Sequence, residues 1–209
     1  NAKLTVITDA SWDDDAIHLS GHTAILGRDS TLRHSVALFG GNVVRIIPRV
    51  RFTGPGGDAE LLGVYFADDG QFFEQRLLVD HAVPNCRSNV LYKGALQADP
   101  SSKKPEARTA WVGDVLIRAN AQGTDTYEAN RNLVLTEGAR ADAVPNLEIE
   151  TGEIIGAGHA ATVGRFDDEQ EFYLRARGIP PEEARRLIVR GFFSEVIGRI
   201  PVAAIREDL

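Results

Sequence analysis

The stretch Pro145–Gly164, PNLEIETGEIIGAGHAATVG, runs straight into Phe166–Ile179, FDDEQEFYLRARGI, and the chain changes period between them. Up to Gly164 the pattern is strand-like. From Asp167 onward apolar residues recur at helical spacing. One histidine, His159, stands just before that change, between Gly158 and Ala160. Such small neighbours leave an imidazole open to another chain or to a metal. By residue type alone, a lone histidine among strands is more often a hydrogen-bonded structural residue than a ligand.

Working backward, residues 1 to 164 read as a string of short β-segments with no helix between them. Leu4–Thr8, Thr23–Leu26, Val36–Phe39, Asn42–Phe52, Glu60–Phe66, Gln71–His81, Asn89–Gln97, Thr109–Ala119 and Arg131–Thr136 alternate apolar and polar residues. Gly, Asp, Asn or Pro breaks each one. Two architectures fit this string: an antiparallel sandwich or barrel, and a parallel β-helix. Hairpin pairs of the Asn-Gly or Asp-Gly type are scarce, with Asp69-Gly70 the clear instance, and this tips the reading slightly toward the β-helix. The polar stretch Ala98–Arg108, ADPSSKKPEAR, reads as an exposed loop.

Working forward, residues 165 to 209 read as a separate helical region. Asp167-Asp168-Glu169 places acid in a first turn, where the helix dipole favours it, and Gly178 supplies a stop. Pro180-Pro181-Glu182-Glu183 opens a second helix. Ala184, Leu187, Ile188, Phe192, Val196 and Ile200 form an apolar stripe on it. Such a stripe either packs on the strand-rich body or docks a partner, and Phe192 and Phe193 are the candidate docking residues.

Composition removes several classes of function. Apolar residues make up 43% of the 209, enough for a core, and the net charge of −7 comes with no basic run suited to nucleic acid. No apolar run nears the ~18–20 residues of a membrane span, and no signal-peptide pattern opens the sequence, which together point to the cytosol. A single cysteine, Cys86, precludes an internal disulfide framework. The sequence begins Asn-Ala-Lys and contains no Met, as expected of a piece of a longer product.

Catalytic signatures are missing: there is no Walker loop, dinucleotide fingerprint, G-x-S-x-G or H-E-x-x-H. Asp13-Asp14-Asp15 reads as a solvated turn. His18 and His22 have metal-pair spacing only on a helix, which AIHLSGHTAIL does not support. His34 and His81 read as structural, and Glu128 near Thr124, Asp125 and Tyr127 belongs to no recognisable catalytic set. A carbohydrate-active β-helix enzyme needs clustered carboxylates; Glu148, Glu150 and Glu153 are scattered, although Glu148 and Glu150 can share a strand face. A homodimeric interaction module without metal is a further alternative.

Several blocks in order carry a family resemblance: Leu77–Leu96 (LLVDHAVPNCRSNVLYKGAL), Glu128–Ile149 (EANRNLVLTEGARADAVPNLEI), Pro145–Gly164, and Asp167–Phe192 (DDEQEFYLRARGIPPEEARRLIVRGF). Together they resemble the SufB/SufD family of iron–sulfur cluster scaffolds, and SufD more closely than SufB. The resemblance implies a right-handed parallel β-helix followed by a C-terminal helical region. It also implies a non-catalytic scaffold that pairs with a SufB-like subunit, docks a SufC-like ABC-type ATPase through its helices and binds no nucleotide itself. A transient iron–sulfur cluster would be shared with the partner subunit. His159 matches the histidine of the family motif C-S-H-G-A-T, which makes it the candidate cluster-assembly and metal-binding residue. Imidazole suits iron, and a thiolate from the other chain would complete the pair. The motif cysteine is Ala157 here, so any thiolate role at that position is lost.

Overall fold

Strands form where apolar and polar residues alternate, because successive side chains point to opposite faces. The computed structural model of the chain describes residues 1–202. In it β1 (Lys3–Ala10), β3 (Thr31–Leu38), β5 (Asp58–Ala67), β7 (Arg87–Leu96), β9 (Asp125–Val134) and β11 (Gly156–Arg165) make one six-stranded sheet in that order. β2 (Ile17–Leu26), β4 (Val43–Phe52), β6 (Phe72–His81), β8 (Arg108–Ile117) and β10 (Arg140–Ile149) make a five-stranded sheet. Every pairing is parallel and joins strands two apart in sequence. The chain therefore winds as a β-solenoid of roughly 30 residues per coil, one strand in each sheet. The sandwich alternative is excluded. Asp69-Gly70, the one hairpin-like pair, is instead the β5–β6 corner, with Gly70 at φ +81°.

The register turns the sequence into columns. Val6, His34, Leu61, Val90, Glu128 and His159 are successive partners across the six-stranded sheet, and all face the interior. Beside them run Val36, Gly63, Tyr92, Asn130 and Ala161, then Leu38, Tyr65, Gly94, Asn132 and Val163. Gly63 leaves room for the Tyr92 ring and Gly94 for the Tyr65 ring, so two tyrosines fit inside one coil width. Phe52, Phe73, Leu77, Trp111 and Ile117 from the other sheet complete the buried interior. The Ala98–Arg108 stretch is irregular apart from Arg108, which opens β8, and it enlarges a single coil, with only Ala107 at its end entering the core.

Two helices follow the solenoid. α1 (Asp168–Arg175) is capped by Asp167, whose carboxylate accepts from the Glu169 and Gln170 N–H groups. α2 (Pro181–Ile197) lies on the outer face of the six-stranded sheet, over β5 and β7. Phe193, Val196 and Ile200 pack there on Leu62, Val64, Leu91 and Ala95. Residues 203–209, which belong to the helical region anticipated from sequence, lie outside the described residues. No described helix is long and apolar enough to cross a membrane.

Candidate functional site

The last coil, β10 and β11, has no coil stacked beyond it among the described residues, and its side chains are mostly exposed. Inner-face residues that would be buried anywhere else in the solenoid are therefore open here. His159 sits in the middle of β11 and is exposed. Two neighbours fix the face it occupies. Ala157, two residues earlier, packs against the interior core, whereas a side chain on Gly158 would meet the outward Tyr127 ring. Residues two apart share a face, so His159 projects inward with Ala157. It ends the interior column at the open mouth of the solenoid.

Directly beneath His159 in that column lies Glu128, with 0% of its surface exposed. Its carboxyl reaches across the interior toward Gly113 of the opposite sheet, where the missing Cβ leaves space for it and for the Trp111 ring. Neither carboxyl oxygen has a hydrogen-bond partner. Burial, reinforced by the Asp114 charge, pushes the Glu128 pKa up to about 8, against a smaller lowering effect from the Asn146 backbone N–H. At neutral pH the group therefore holds its proton. Its neighbours in β9 are satisfied: Asn130 Nδ2 donates to Tyr65 Oη at 2.9 Å, and Tyr65 donates to Asn132 Oδ1 at 2.7 Å.

The mouth carries apolar surface as well. Ile149 of β10, Val163 of β11 and Ile155 between them are exposed, Ile155 by 77%, while Val144 is exposed on the outer face of β10. With the unpaired backbone edges of both strands, this makes an adhesive end of the kind proteins cover with another chain.

Phe192 and Phe193 lie on the outer face of the six-stranded sheet, not at this mouth. Phe193 is only 6% exposed and belongs to the apolar layer between α2 and the sheet, and Phe192 packs against the same layer. The buried Lys93 ammonium secures the contact, donating to the Phe192 carbonyl oxygen at 2.8 Å, pairing with Glu195 at 2.7 Å and lying 5.0 Å from the Phe192 ring centroid. Of the two uses open to this stripe, the isolated chain has Phe193 packed on its own body. The exposed aromatics of the helical region are Phe172 and Tyr173 on α1.

The other sequence candidates separate. His34 and His81 are buried, as their strand setting implies. His22 and His34 share a 2.9 Å hydrogen bond across the first coil, while His18 stacks on Trp12. Glu150 caps the Ala119 N–H at 3.0 Å, and Glu148 and Glu153 are exposed. Among the described residues no group of three or more His, Cys, Asp or Glu side chains is placed to hold a metal ion.

Residues 1–192 match the family model for the SufBD core domain of SUF-system iron–sulfur cluster assembly. The chain is 68% identical over its whole length to an iron–sulfur cluster assembly SufBD family protein of Mycobacterium bovis, of which it covers 52%. It is 67% identical to the corresponding Mycobacterium leprae protein, covering 53% of it. It is 30% identical over 188 residues to the iron–sulfur cluster assembly protein SufD of Bacillus subtilis, matching 89% of this chain and 41% of that protein. The chain spans about half the length of the mycobacterial relatives it matches.

Proposed function

The chain belongs to the SufB/SufD family of the SUF iron–sulfur cluster assembly system, and from that premise we propose that it is the core of a SufD-like, non-catalytic scaffold subunit. Its open solenoid end pairs with a SufB-like chain, and a nascent cluster is held transiently at that junction. The observation that carries the reading is the position of His159: an exposed imidazole on the inner face of the last coil, which also carries exposed apolar residues and free strand edges. A neutral imidazole is a good ligand for iron, and a soft thiolate from the partner supplies what this chain, with Ala157 beside its histidine, does not. Edge strands are suited to strand addition by the partner, with backbone hydrogen bonds supplying affinity and the apolar side chains supplying fit.

In this proposal the helical region engages a SufC-like ATPase through its outward side. α2 gives its apolar seam to the sheet, so α1 with Phe172 and Tyr173 is the surface left for a partner. The chain hydrolyses nothing, and the nucleotide belongs to the ATPase.

Sizing by light scattering, of the chain alone and mixed with a SufB-like chain and a SufC-like ATPase, tests the reading. A stable mixed complex is expected. A homodimer that ignores both partners would instead support the metal-free interaction module, which the same exposed apolar end also favours.

A further inference from the structure

We propose that Glu128 is a second iron ligand offered by this chain, a carboxylate that binds a divalent iron together with His159 at the mouth of the solenoid. The inference rests on the scaffold reading and adds a residue to it.

A carboxyl with none of its surface exposed and no partner for either oxygen is costly to a fold. The same inner face carries Val90 and Leu61 in the preceding coils, where apolar side chains fill the column without penalty. An apolar residue at 128 would continue that column. The interior instead accommodates the carboxyl, with Gly113 opposite leaving space for it. Asn130 and Asn132, also buried in β9, are bonded to Tyr65 and to each other. Glu128 alone among these β9 polar groups lacks a well-formed hydrogen bond, the Asn146 backbone N–H having only a minor influence on it, and its immediate neighbour toward solvent is His159.

Adjacent strands lie about 4.8 Å apart, and the two side chains project from the same face. Nitrogen and oxygen ligands that share one cation at about 2.1 Å each stand roughly 3 Å apart. To share a cation with His159, the Glu128 carboxyl must turn toward it from Gly113, a side-chain movement that leaves the strand register unchanged. On binding, the Fe–O bond forms as the carboxyl proton passes to solvent, and the iron stays divalent. Imidazole and carboxylate together suit ferrous iron and leave coordination positions for sulfur or for a thiolate from the partner. The cation compensates the charge that the apolar interior otherwise disfavours.

Anaerobic titration of the full chain with Co(II), a spectroscopic stand-in for Fe(II), tests this. Wild type, Glu128→Gln and His159→Ala are compared by Co(II) affinity and visible ligand-field spectrum. Circular dichroism and sizing with the SufB-like partner confirm that each variant folds and pairs. Glu128→Gln is expected to bind Co(II) roughly tenfold or more weakly with an altered spectrum, and His159→Ala to lose binding as well. Wild-type affinity and spectrum in Glu128→Gln, with binding lost only in His159→Ala, would overturn the role of Glu128 and leave that of His159. Absence of Co(II) binding by the wild type would also overturn it. In either case a normal complex with the SufB-like chain keeps the scaffold reading, whereas failure to pair removes that reading separately.

Discussion

His81 of β6 stacks on Phe52 at 4.7 Å and shares a 2.9 Å hydrogen bond with Ser88, which is bonded in turn to Thr126. This chain of polar groups joins the two sheets through the interior. Burial lowers the pKa of His81 to about 4, against a smaller raising effect from Asp80, and desolvation with the nearby His22 charge does the same for His34. The unfolded chain takes up these protons below about pH 6.5 while the native one refuses them until about 4. Stability therefore falls as pH drops through that window, by up to roughly 3 kcal/mol per histidine. Urea unfolding between pH 7 and 4 checks this, and His81→Gln should flatten the slope. Glu128 acts in the opposite sense. Its proton is retained up to about 8 in the native state but lost near 4.5 on unfolding, so stability falls as pH rises between those values. Glu128→Gln should be less sensitive to pH over that range, with a gain relative to wild type on the order of 3 kcal/mol at pH 7 compared with pH 4.5. Equal slopes for the two proteins would contradict this placement of the carboxyl. His159 was visible in the sequence through its motif. Glu128 was not, because strand reading assigns the apolar set to the interior, whereas in TYEANRNL the polar set Thr126, Glu128, Asn130 and Asn132 faces inward. The alternation itself was the available signal, and only the register reveals its phase.

At the scale of elements, α2 is a lid on one sheet face. Its seam runs through Ala184, Phe193 and Val196, with Ile200 buried just past its end, whereas the sequence stripe included Phe192 in place of Phe193 and also Leu187, which is 42% exposed. Helical periodicity gives the width of an apolar face but not its centre, which here follows Lys93 and the sheet beneath. Phe193→Ala should cost about 3–5 kcal/mol in unfolding free energy, read by chemical denaturation. Lys93→Ala, which leaves Glu195 and the Phe192 carbonyl oxygen without their shared donor, should speed hydrogen exchange across α2 while leaving the β5–β7 amides protected. Uniform acceleration across both elements would show that helix and sheet open as one unit. Strand existence was legible for most of the solenoid because turn residues bracket each run. Boundaries were not: Thr23–Leu26 is only the end of β2, and Arg131–Thr136 misses the first half of β9.

For the molecule as a whole, parallel winding could not be read from alternation, since antiparallel strands alternate in the same way. The scarcity of hairpin turns and the family resemblance pointed to it, and the strand register establishes it. The winding also explains why a histidine in mid-strand is available: a solenoid exposes its inner face only at an end, and β11 is an edge strand. Cluster assembly is therefore expected to depend on what meets that end. The most direct test is anaerobic cluster reconstitution on the complex of this chain with SufB-like and SufC-like partners, comparing wild type with His159→Ala by the visible absorbance of the assembled cluster. The account predicts that the variant complex forms with unchanged mass and accumulates little or no cluster. Wild-type cluster yield on the His159→Ala complex would contradict it.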